Sequence, residues 1–153
     1  MKTPAITTLN TPDVINTASR LTHEGRLAIS DNQLIFLNID DAYIHQLFPL
    51  LKNEATQKPD YFREKSAGAH ISVIYPEENT IIDKKEIGQQ HVFTIKEMVT
   101  AVIGEKTYYA LLVESPSLLA LRRRYMLPDL LNFKGYAIGF HITIGVSKPQ
   151  EKI

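Results

Sequence analysis

The chain has 153 residues, 44% of them hydrophobic, with seven Tyr and six Phe: enough for one domain with a real core, or two small lobes around a shared cleft. Basic and acidic residues balance at 17 each, which argues against a bulk nucleic-acid binder held mainly by phosphate neutralisation but leaves room for a local basic groove. Cysteine is absent, so disulfides, thiolate catalysis and cysteine–zinc sites are excluded together.

In chain order, Met1 to Asn10 reads as a loose polar arm without the apolar core of a signal peptide. Thr11-Pro12 opens a helix to about Leu21, with Thr11 as N-cap and Pro12 at the first helical position. Leu27 to Ser30 and Gln33 to Ile39 form a hairpin around Asp31-Asn32. Asp40 or Asp41 caps a helix carrying Ile44, Leu47, Leu50 and Leu51, which Pro49 kinks or restarts. Asn53 to Ala67 is polar, contains Pro59 and reads as a connecting loop. A strand from Ala69 to Tyr75 stops at Pro76, and Asn79 to Gln90 is linker.

His91 to Ile103 and Lys106 to Glu114 are two long strands around Gly104-Glu105, with Gly in the first position of a type II′ turn. Ser115-Pro116 opens a helix to about Leu131 that turns Leu118, Leu121 and Tyr125 inward. Asn132 to Ala137 is a loop with Gly and aromatic residues, and a strand from about Phe140 closes the domain before the charged tail, residues 148–153. The order suits an α+β protein with helices covering antiparallel sheets. No run approaches membrane-spanning length, so the chain reads as a cytoplasmic monomer without membrane contact.

The informative feature is a repeat. Gly68-Ala69-His70-Ile71-Ser72-Val73 returns as Gly139-Phe140-His141-Ile142-Thr143-Ile144: Gly, any residue, His, Ile, a small hydroxyl residue, then a β-branched aliphatic. Strand periodicity places His70, Ser72 and Ile74 on one face and Ala69, Ile71 and Val73 on the other. By the same rule His141, Thr143 and Gly145 share a face, and the bare Gly145 would let a ligand approach the backbone. If the two strands lie side by side, two imidazoles and two hydroxyls line one groove.

The paired His-x-Ser/Thr strands resemble the signature of the 2H phosphoesterase superfamily, which includes RNA 2′,3′-cyclic phosphodiesterases once described as 2′–5′ RNA ligases, and 2′,5′-oligoadenylate phosphodiesterases. The resemblance implies two ferredoxin-like lobes with antiparallel sheets around a central groove, spanning about Gln33 to Ser147 of a single domain, residues 1–153. Residues 1–25 are then an amino-terminal extension. The resemblance also implies catalytic His70 and His141, phosphate-binding Ser72 and Thr143, and an RNA or nucleotide substrate. In the family's usual direction on cyclic substrates the first His protonates the leaving oxygen and the second activates water. Two departures stand out: the chain is short for the family, and Glu77-Glu78 puts negative charge just beyond the first motif.

The residues support such chemistry on their own terms. Cleaving a phosphodiester needs a base for water and an acid for the departing ribose oxygen, and histidine's ordinary pKa of about 6.5 allows either state near neutrality. Ser72 and Thr143 can donate to the non-bridging oxygens. No metal or cofactor is expected, since no Asp or Glu shares the motif faces. Tyr75, Lys134 and Tyr136 are the candidate substrate contacts, while Tyr108, Tyr109 and Phe133 are further aromatics for base stacking or the core. His23, His45 and His91 read as structural or solvent-facing, and Arg122-Arg123-Arg124 as a solvated helix face. The expected activity is metal-independent hydrolysis of a 2′,3′-cyclic phosphate or 2′–5′ linkage in RNA or a small nucleotide. The alternatives are a 2′,5′-oligoadenylate phosphodiesterase and a non-catalytic module that binds nucleotides or RNA ends.

Overall fold

The computed structural model describes residues 2–51, 56–58 and 68–147; most of the expected 53–67 loop and the 148–153 tail lie outside the described residues. It is a mixed α+β fold dominated by antiparallel sheets. The strands are β1 (Ala5–Thr8), β2 (Glu24–Ile29), β3 (Ile35–Asn38), β4 (Thr56–Gln57), β5 (His70–Ile74), β6 (Gln90–Val92), β7 (Thr94–Ile103), β8 (Lys106–Glu114), β9 (Leu131–Phe133), β10 (Tyr136–Ile138) and β11 (His141–Ser147). The helices are α1 (Pro12–Ser19), α2 (Ala42–His45) and α3 (Pro116–Arg124).

Two larger sheets carry the two motif strands. One has the order β5-β3-β2-β6, the other β1-β7-β8-β11-β4, and β9 with β10 makes a separate hairpin. Thus β5 and β11 belong to different sheets yet pack against each other. α1 packs on β7, α2 on β11, and α3 on β5 and β6. The core draws on the aliphatic faces of both motif strands: Ile71, Val73, Ile142 and Ile144 are buried. Burying a side chain of this size contributes about 1.5–3 kcal/mol, which holds the opposite, histidine-bearing faces in place. Among the described residues no helix is long and apolar enough to cross a membrane.

Several expectations are corrected. The amino-terminal arm is not loose: Ala5–Thr8 pairs with Thr100 to Val102 and Val99 of β7, and Lys2 exchanges backbone hydrogen bonds with Gly135 and Ala137. Thr11 precedes α1, but its hydroxyl makes no capping bond. The run from His91 is two strands, because the chain passes from one sheet to the other at Phe93, whose ring is buried against His23 and Tyr43. Gly104 has φ +61° at the first turn position, as a type II′ hairpin requires. α3 ends at Arg124, short of Leu131, because Met126 takes φ +60° and Pro128 follows. The 132–137 segment is a hairpin, not a loop; its two-residue turn, Lys134-Gly135, has φ of 52° and 85°.

The arginine run is a solvated face only in part: Arg123 and Arg124 are exposed, and Arg122 is not. Arg122 is fully buried, bidentate to Glu78 at 2.7 and 2.9 Å, and donates to the carbonyls of Val73, Pro128 and Leu130. Arg123 pairs with Asp129, and Arg124 with Glu86. The acidic pair after the first motif is likewise committed: Glu78 accepts from Arg122 and from the Tyr75 N–H, and Glu77 from the Lys134 N–H.

Candidate active site

Both motif histidines line one cavity of about 580 Å³, together with Ser72, Thr143, Tyr75 and Phe133. Strand alternation does this on β5, where Ala69, Ile71 and Val73 are sealed in the core while His70 and Ser72 keep 9% and 7% exposure. On β11 the alternation holds only as far as Thr143. A bulge between Thr143 and Gly145 shifts the register, so that Val146 returns to the cavity. Gly145 therefore does not share the face of His141 and Thr143 as expected. A Cβ there would lie 2.5 Å from Thr56 Cγ2 and 3.0 Å from Leu51 Cδ1, so the missing side chain admits the protein's own chain and not a ligand.

The two histidines are held in the same way. Nδ1 of His70 lies 2.8 Å from the Gly68 carbonyl, and Nδ1 of His141 lies 2.9 Å from the Gly139 carbonyl. A carbonyl only accepts, so each Nδ1 carries the proton and each distal Nε2 carries the lone pair of the neutral ring. The flanking glycines serve this lock differently. Gly68 has φ +71°, and Asp41 Oδ1 sits 2.7 Å from where its Cβ would be while accepting the Ala69 N–H. Gly139 lines the cavity and would meet only Leu130 at ordinary contact distance.

Burial lowers the pKa of both histidines. For His70 the bond to the Gly68 carbonyl acts the other way, and the charge of His141 lowers it further. For His141 the Gly139 carbonyl again opposes the burial. The His70 ring also meets the Phe36 ring edge-on at 5.5 Å.

Beside the histidines stands an aromatic wall. Phe133 lies 5.1 Å from the Tyr75 ring and 6.0 Å from Tyr108. The Tyr75 hydroxyl bonds to Ser72, and burial raises its pKa above the ordinary tyrosine value, so it stays a neutral donor and acceptor. Burial raises that of Tyr108 as well.

Of the sequence-derived contacts, Tyr75 lines the cavity; Lys134 and Tyr136 are not among the lining residues. Lys134 Nζ lies over the Phe133 ring at 5.1 Å, and Lys2 Nζ lies over the Tyr136 ring at 5.7 Å. The lining also includes Lys58, Lys106, the turn from Ser30 to Leu34, and the β1 residue Ile6, none of which the sequence reading singled out. Alternation on β7 and β8 shows two faces but not which one meets the groove, and pairing of β1 leaves no local signal. Among the described residues no three His, Asp or Glu side chains converge as a metal site would require.

A family model described as "Swiss Army Knife, 2H phosphoesterase domain" matches residues 35–151. The chain belongs to the 2H phosphoesterase family. The match starts at the first residue of β3 and contains both His-x-Ser/Thr strands, so the pair of histidines in the cavity lies inside the matched region. Membership points to phosphoester hydrolysis as the class of activity. Neither the curated proteins nor the solved structures yield a match.

Proposed function

We propose that this 2H phosphoesterase is a metal-independent phosphodiesterase acting on a 2′,3′-cyclic phosphate or a 2′–5′ linkage in RNA or a small nucleotide. The observation that carries the reading is the pair of motif histidines, contributed by different sheets, lining one cavity with the same Nδ1-to-carbonyl lock. In this reading each sheet and its helices form one ferredoxin-like lobe of a bilobal fold, and the cavity is the groove between them.

The geometry supports the following reaction. The neutral histidine takes a proton from water through Nε2, and the resulting hydroxide adds to phosphorus. The bond from phosphorus to one ribose oxygen breaks, and the protonated histidine gives its proton to that oxygen. Ser72 and Thr143 donate to the non-bridging oxygens, where charge builds in the transition state. Positioned acid–base groups of this kind contribute about 100- to 10,000-fold each. The enzyme is taken to be a cytoplasmic monomer with an RNA or nucleotide substrate.

The test is turnover of 2′,3′-cyclic nucleotides, 2′–5′ dinucleotides and cyclic-phosphate-ended RNA with excess EDTA, comparing wild type with His70→Ala and His141→Ala. Turnover that survives the chelator and falls at least about 100-fold in each variant is expected. Loss on chelation, or activity retained in either variant, refutes the two-histidine mechanism.

A further inference from the structure

Beyond the catalytic pair, the cavity has a floor that the reaction above does not use. It is one face of the five-stranded sheet, and its residues follow each other across the strands in register. One row runs from Thr143 to Ala110 to Val99; the next runs from Val146 through Tyr108 and Ala101 to Ile6 on β1. All of these line the cavity. Adjacent strands stand about 4.8 Å apart, so three spacings put Ile6 about 14 Å from the β11 row that carries Thr143.

Apart from Tyr108, whose ring meets Phe133 edge-on at 6.0 Å, the floor away from Thr143 is apolar and low. Ala110 and Ala101 project only a methyl, and Val99, Ile103 and Ile6 complete the surface. Among the described lining residues the charged side chains other than the histidines are Lys58, Lys106 and Asp31. These described side chains bring two cations and one carboxylate to the lining, so the apolar floor is its larger feature. Part of the lining is built outside the family match: Pro4 and Ile6 come from β1 and its approach, and Ser30, Asn32 and Leu34 from the β2–β3 turn. In that turn the Ser30 hydroxyl donates to the Asn32 side-chain oxygen.

We propose that this floor is a selectivity shelf for a compact phosphodiester, seating a flat, uncharged heteroaromatic group of the size of one nucleobase over Ala101, Ala110 and Ile6. The amino-terminal strand β1 is then a specificity element added to the phosphoesterase domain. The proposal rests on the phosphodiesterase reading and assigns its substrate class: a cyclic mononucleotide in preference to the end of a long RNA. Small residues at 101 and 110 leave room for a planar ring, and Ile6 bounds it.

The experiment compares three cyclic phosphodiesters: 2′,3′-cyclic AMP, glycerol 1,2-cyclic phosphate, which lacks a base, and a ten-nucleotide RNA ending in a 2′,3′-cyclic phosphate. Ala101→Phe fills the shelf; Ile6→Glu puts a carboxylate at its end on a side chain that is 49% exposed, so the fold should tolerate it. Binding of 2′,3′-cyclic AMP by calorimetry is measured alongside turnover. Both variants should lose about tenfold in kcat/KM on 2′,3′-cyclic AMP, mainly through KM, while staying within about twofold of wild type on the glycerol compound. Wild type should use the RNA no better than the mononucleotide. Unchanged kinetics on 2′,3′-cyclic AMP in both variants, an equal loss on the glycerol compound, or a preference for the RNA overturns the shelf. Absence of turnover on all three refutes the phosphodiesterase reading instead; the shelf is then judged by the calorimetric affinity of the same variants, which must fall about tenfold to sustain it.

Discussion

Replacing Arg122 by Met should be among the most damaging changes available outside the cavity. The arginine is wholly buried, and its guanidinium makes five hydrogen bonds: two to Glu78 and one each to the carbonyls of Val73, Pro128 and Leu130. Methionine fills much of the volume but leaves the Glu78 carboxylate, whose side chain is 4% exposed, buried without its cation. Removing one partner of a buried pair costs about 3–5 kcal/mol, a large share of the roughly 5–15 kcal/mol that holds a typical domain folded. At about 2–4 °C per kcal/mol for a chain of this size, the melting temperature should fall by about 10 °C. Urea unfolding of wild type, Arg122→Met and the double variant with Glu78→Gln measures it. The double variant should recover part of the loss, because the stranded charge is gone while the carbonyls stay unpaired. A single variant within about 1 kcal/mol of wild type would refute the reasoning, for it would mean that the Glu78 carboxylate reaches water once Arg122 is removed.

Three further outcomes follow from the site. Because burial holds both histidines below their ordinary value of about 6.5, and the reaction needs one neutral and one protonated, kcat/KM should trace a bell centred on the acid side of pH 6.5; an optimum above pH 7.5 in the free enzyme contradicts this. Ser72→Ala and Thr143→Val should each lower kcat about 100- to 1,000-fold with little change in KM, read by steady-state kinetics, since the hydroxyls act where charge develops; an effect on KM alone would reassign them to ground-state binding. Gly68→Ala should cost at least about 1–2 kcal/mol in urea unfolding, because φ is +71° and Asp41 Oδ1 blocks the Cβ, whereas Gly139→Ala should be nearly neutral in stability; equal effects would show that the two glycines are held by the same constraint.

The motif strands were legible because their signal is local and doubled: period-two alternation sealed by aliphatic side chains on one face. The elements that escaped are those decided by distant partners. Ala5 to Thr8 is exposed throughout and shows no buried alternation; it is a strand because β7 offers an edge. The crossing at Phe93 interrupts a run with no Gly or Pro, so only the two sheets reveal it. The bulge beyond Thr143 turns Gly145 away from the groove, which strict alternation cannot foresee. Three consecutive arginines look solvated, but the partner of Arg122 stands 44 positions back along the chain. The floor of the cavity was hidden for the same reason, since the register of β1, β7, β8 and β11 assembles it from residues with no shared local pattern.

In the proposed mechanism two chemically identical side chains perform opposite tasks, and the local locks do not divide them, because both put Nδ1–H on the carbonyl two residues back at nearly the same distance. The division has to come from the pair. Burial disfavours the charge on either ring, and the influence of His141 on His70 makes a second proton costlier than the first. In the proposed mechanism the pair is active when it holds one proton. A singly protonated pair is already one acid and one base. The substrate then sets the direction: the ring beside the departing ribose oxygen must hold the proton and the ring beside the attacking water must lack it. In the proposed mechanism the duplicated motif thus supplies two like acid–base groups, and the bound substrate decides which of them acts as acid.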